Sequence, residues 1–168
     1  MDGSYVEDAL IDAQRAFERE PVRKESGLDV NDDALLQLRK ACRLLDAARF
    51  LRTQNGYYTV IIETSFIASE RSIHFYLLQT TGMDSTEYVS HADIYERGAE
   101  ANLYSRSLGD QFLQLWRENR SKTYYRQAIG GETQADAMLQ LASALHQYIL
   151  DLLSIDHECV CGRNQPPE

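Results

Sequence analysis

The residues with the most chemistry to offer stand close together, in the run Trp116-Arg117-Glu118-Asn119-Arg120-Ser121-Lys122-Thr123-Tyr124-Tyr125-Arg126. On a continuous helix Arg117, Arg120 and Tyr124 fall at i, i+3 and i+7, so two guanidinium forks and a phenol share one stripe. Such a stripe can hold a phosphate or a carboxylate. Arg and Tyr near a helix end also serve as a plain solvated face, their stems packed on the core and their charges favoured by the negative helix end. Spacing alone leaves both readings open.

Other candidates lie further away. His91 and His146 are imidazoles that the fold could bring to Arg120, although His91 also reads as a helix-start residue and His146 as a neighbour of an apolar stripe. His74 follows Glu70 by four residues, the spacing of a partly buried pair on one helix face. Cys42 falls in an apolar helical pattern, where a free thiol acts as a small hydrophobe. His157, Cys159 and Cys161 crowd the C-terminal end, but Cys-x-Cys is tight spacing and no fourth ligand stands nearby in sequence. No metal and no cofactor are therefore expected. Phosphate-cradling Gly loops, His-Glu-x-x-His and Gly-x-Ser-x-Gly are missing.

The elements that must position these residues read as helices. Residues 5–19 carry a narrow apolar stripe of Val6, Ala9, Leu10, Ala13 and Phe17 between acids, and Pro21 with Gly27 and Asn31 then marks a linker. A second helix starts at Asp32 or Asp33, puts Leu38, Ala41, Leu45 and Ala48 on one face and stops at Asn55-Gly56. Residues 57–80 are apolar nearly all round, with Ser65, Ala68, Ser69 and Ser72 as a strip that admits a close neighbour. Ser90 to Asp93, Ser107 to Asp110 and Thr133 to Asp136 read as helix starts, and Asp84 to Glu87 resembles a capping pair. The last helix aligns Met138, Leu141, Leu145, Tyr148 and Leu152.

These signals predict an all-α protein, an antiparallel bundle of four to five helices with an acidic N-terminal helix. The expected divisions are an acidic leader and linker over 1–32, the bundle over 33–155 and a disordered tail over 156–168. The 168 residues suit one domain. With 26 acids against 17 bases and a net charge of −9, a generic nucleic-acid coat is not indicated. No apolar run approaches the ~20 residues that span a bilayer. Asp2, Glu7 and Asp8 stand where a secretory leader would be basic and then apolar, so a cytoplasmic location is expected.

From Leu35 to Leu153 the order of features resembles the HEPN family of helical domains. The matching pieces are 38–51, Gly56-Tyr57-Tyr58 opening a buried helix with Ala68-x-Glu70, Ser90-His91-Ala92-Asp93, the 117–125 segment and a closing helix with Ala135, Ala142 and Tyr148. In HEPN ribonucleases an Arg, four to six residues and a His form the active motif across a homodimer. Here Arg120 reaches Tyr125 where that His could stand, and from Arg117 the allowed positions are Lys122, Thr123 and Tyr124. The pattern is similar to the toxin–antitoxin-associated branch with Arg, four residues and Tyr, although Tyr124 replaces the Asp that usually precedes that Tyr. A phenol with a pKa of about 10 is a poor general base at neutral pH.

The resemblance thus implies a non-catalytic homodimer, with no catalytic residue assigned. It would bind a small nucleotidyltransferase-type protein, or a nucleotide or RNA phosphate, through Arg117, Arg120, Tyr124 and Tyr125, with Glu70, His91 and His146 as accessories. Two alternatives stand beside it. One is a divergent, metal-independent endoribonuclease using Arg120 with His91 or His146. The other is a purely structural helical module whose acidic leader docks on a basic partner.

Overall fold

A computed structural model describes residues 4–21, 24–120 and 129–162. Among these residues the chain is all-helical, with α1 Ser4–Phe17, α2 Asp33–Thr53, α3 Tyr58–Thr80, α4 Asp93–Glu100, α5 Arg106–Leu115 and α6 Glu132–Leu153. A π-helical turn, Trp116–Arg120, extends α5, and a 3-10 turn, Asp156–Glu158, follows α6.

Local chemistry sets the ends. Asp32 caps α2 by accepting the Leu35 N–H at 2.7 Å. Between α2 and α3 the chain reverses through Asn55, Gly56 and Tyr57, all at positive φ (55°, 100° and 58°), so the two helices run antiparallel. Two expected starts are shifted: α5 begins at Arg106, capped by Ser105 rather than Ser107, and α6 begins at Glu132. Asp84 opens no helix; its carboxylate accepts the Thr86 N–H at 2.8 Å and closes a turn.

Helix α3 is the centre, packed against α2 on one side and α6 on another, with α4 and the π-turn completing its surround. Its buried serines need partners in that setting. Ser65, Ser69 and Ser72 each donate to the carbonyl four residues earlier, at 2.7, 3.0 and 2.9 Å, so the small-residue strip carries no orphan hydroxyl. Around it lie Leu38, Leu45, Ile61, Phe66, Ile73, Phe75, Ile149 and Leu150, all buried. At about 25 cal/mol per Å² of apolar surface, each such side chain contributes roughly 1.5–3 kcal/mol before entropy is charged.

The leader behaves differently, since α1 buries none of its residues and Tyr5, Val6, Leu10, Ile11 and Phe17 are exposed. The C-terminal segment departs from expectation. Residues 156–162, read from sequence as part of a disordered tail, fold back on the bundle. Val160 is buried, Arg39 pairs with Glu158 at 2.9 Å, and the Gly162 N–H is bonded to the Asp46 carboxylate at 3.0 Å. No helix among the described residues is long and apolar enough to cross a membrane.

Candidate functional site

Glu63 and Glu70 lie seven residues apart on α3, two turns along the same stripe, and point toward the end of the α5 extension. Arg120, the last residue of the π-turn, meets both. Its Nε lies 3.6 Å from Glu63 Oε2, and a terminal guanidinium nitrogen donates to Glu70 Oε1. The other Glu70 oxygen accepts from His91 Nδ1 at 2.6 Å. A carboxylate can only accept, so Nδ1 carries the proton in this bond and Nε2 is the ring atom turned to other chemistry. Ser90 holds the loop behind it, its hydroxyl accepting the Asp93 N–H at 3.2 Å.

Burial is graded across this centre. The Glu70 side chain is 9% exposed and Arg120 14%, whereas His91 is 57% exposed at the mouth of a cavity of about 290 Å³. Ile67, Arg71, His74 and Tyr88 share that cavity. The Tyr95 hydroxyl is buried near Glu70, and burial followed by the Glu70 charge pushes its pKa well above the phenol range. Burial and the nearby Arg71 lower the pKa of His74. The pair expected between His74 and Glu70 does not form, because Glu70 is taken by Arg120 and His91, and His74 Nε2 is a buried atom with no partner among the described residues.

The arginine–tyrosine stripe is not kept as one face. The π-turn bonds i to i+5 and so winds more widely than an α-helix, carrying Arg120 round to α3 while Arg117 lines a separate cleft with Glu96, Arg106 and Asp110. Tyr124 and Tyr125 lie outside the described residues. Of the accessory residues, Glu70 and His91 join Arg120, and His146 does not.

His146 belongs to a second cluster. Cys42 of α2, His146 of α6 and Cys159 and Cys161 of the C-terminal segment each aim one ligating atom at a common point, all four atoms lying within 4.8 Å of one another. His157 is exposed beside Glu158 instead. The crowding makes the thiols unequal: hydrogen bonds from Cys161 and Cys42 pull Cys159 below the ordinary thiol range, while Cys42 is pushed up. The chemistry of the first centre is that of a carboxylate-oriented imidazole beside a neutralised guanidinium; that of the second is a set of soft ligands.

A family model described as "Domain of unknown function (DUF8154)" matches residues 1–161. No curated protein and no solved structure matches the chain.

Proposed function

The chain belongs to the DUF8154 family, and we propose that it is a non-catalytic, HEPN-like helical module that works as a homodimer through protein contacts. The observation that carries this reading is the enclosure of Arg120. Arg120 is 14% exposed and paired with Glu63 and Glu70, so a phosphate could reach its guanidinium only in competition with these two carboxylates. Arg117 shares its cleft with Arg106, Glu96 and Asp110, two cations balanced by two carboxylates among the described residues, which gives an anion no net field there. Protein contact has better support, because α1 exposes Tyr5, Val6, Leu10, Ile11 and Phe17 on a helix that buries nothing in its own chain. The HEPN resemblance supplies the homodimer and a nucleotidyltransferase-type partner.

Light scattering of the full chain at micromolar concentration tests the assembly. A dimer is expected, and cross-linking in the native cell should recover a specific protein partner that is lost in the Leu10→Glu, Phe17→Glu double variant. A monomer at all concentrations, with RNA rather than protein recovered, would refute the reading.

One observation favours a second reading. His91 and Arg120 share the Glu70 carboxylate, so an imidazole oriented for proton transfer stands beside a guanidinium at a cavity mouth. That is the arrangement a divergent endoribonuclease would need. Its weakness is the same pairing, which sets two carboxylates in competition with a phosphorane for the guanidinium.

A further inference from the structure

We infer that Cys42, His146, Cys159 and Cys161 form a structural zinc site that fastens the C-terminal segment to the bundle. The distances carry it. Zinc binds thiolate sulfur at about 2.3 Å and imidazole nitrogen at about 2.0–2.1 Å, which in a tetrahedron sets S···S edges of ~3.8 Å and S···N edges of ~3.6 Å. Here Cys42 Sγ lies 3.5 Å from His146 Nε2 and 3.6 Å from Cys159 Sγ. His146 Nε2 is 3.7 Å from Cys159 Sγ and 3.8 Å from Cys161 Sγ. These four of the six edges fit a tetrahedron sized for one ion, the other two lie within 4.8 Å, and the Cys42–Cys159 separation is too long for a disulfide, whose sulfurs sit at about 2.05 Å.

The imidazole is prepared for a metal. The Ser72 hydroxyl donates to the Ala68 carbonyl at 2.9 Å, so its oxygen is left to accept, and it lies 3.0 Å from His146 Nδ1. The proton therefore sits on Nδ1, and the Nε2 lone pair faces the three sulfurs. Cys42 and His146 are almost fully buried, and the Cys161 N–H bonds to Cys159 Sγ at 3.5 Å. Three thiolates and one imidazole are the soft ligand set that selects zinc over magnesium or calcium. With all four positions filled by protein the ion has no open site for a substrate, and its role is structural. It joins α2, α6 and residues 159–161, adding to the burial of Val160 and to contacts such as Arg39 to Glu158 and Gly162 to Asp46.

The test is elemental analysis of the untagged full chain, with cobalt as a spectroscopic probe. About one zinc per chain is expected, and cobalt exchange should give the visible bands of a tetrahedral thiolate site. Cys161→Ser should abolish stoichiometric binding, and Ser72→Ala should weaken zinc affinity about 10- to 100-fold by releasing the imidazole. His157→Ala should retain the metal. Because Cys42→Ser puts a hydroxyl into the fully buried core, the half-buried Cys161→Ser is the deciding variant. A chain that holds no stoichiometric zinc and shows no cobalt bands would overturn the proposal. So would a Cys42–Cys159 disulfide in the native protein, or a His157→Ala variant that loses zinc as fully as Cys161→Ser.

Discussion

Replacing Arg120 by Ala removes one cation from between two carboxylates, one of which, Glu70, is 9% exposed. Breaking a buried pair by deleting one partner costs about 3 to 5 kcal/mol, because the remaining charge is left desolvated. His91 still touches Glu70 and can supply part of the compensation, so the low end, about 3 kcal/mol, is the expected loss. With a urea m-value of about 2 kcal/mol/M for a domain of this size, the unfolding midpoint should fall by about 1.5 M. A double-mutant cycle with Glu70→Gln should then return a coupling of about 1 to 3 kcal/mol, since the two side chains are in direct contact. The reasoning fails if the midpoint of Arg120→Ala moves by less than about 0.3 M, the size of an ordinary surface change. Arg120 would then be held by something other than the bundle, and a ligand-facing role would return.

Other expectations follow from the same packing. Tyr95→Phe removes a fully buried hydroxyl beside the Glu70 charge, and thermal unfolding should move by no more than about 1 kcal/mol; a larger loss would mean the hydroxyl helps to hold the carboxylate. Asp32→Ala deletes the cap of α2 and should cost about 1 kcal/mol in urea unfolding, with Asp32→Asn nearly neutral. His74 is held neutral in the fold with its pKa lowered from 6.5, so its contribution is complete above pH 6.5 and lost as pH falls toward the folded value, where the unfolded chain binds the extra proton. Stability measured from pH 7.5 down to 5 should therefore drop less in His74→Leu than in the parent, and equal slopes would contradict the assignment.

Much of the bundle was legible in the chain. Leu38, Ala41, Leu45 and Ala48 sit at helical spacing and are all fully buried, and the nearly all-apolar 57–80 run became the central helix because only a residue set like that can be surrounded by neighbours. Asn55-Gly56 marked the reversal through its tolerance of positive φ. The site was harder. The Arg117–Arg120–Tyr124 stripe assumes an unbroken α-helix, and no local signal announces the wider π-turn that separates the two arginines. The pairing of Glu70 with Arg120 is a contact across 50 residues: an acid in an apolar helix requires a partner and Arg120 is an available one, but only the packing decides between that ion pair and a phosphate for the guanidinium. The cysteine cluster was missed for the same reason. Cys159 and Cys161 lacked ligands nearby in sequence, while Cys42 lies 117 residues before Cys159, brought there only by the packing of α2 against α3 and of α3 against α6.

The reading of this domain as a non-catalytic module is tested most directly by incubating the purified chain with a pool of structured RNAs, beside His91→Ala and Arg120→Ala. No cleavage above background is expected from the parent or either variant, because the guanidinium that shares Glu70 with the imidazole is already paired with Glu63 and Glu70. Cleavage by the parent that disappears in both variants would contradict the account and make Glu70, His91 and Arg120 an active site.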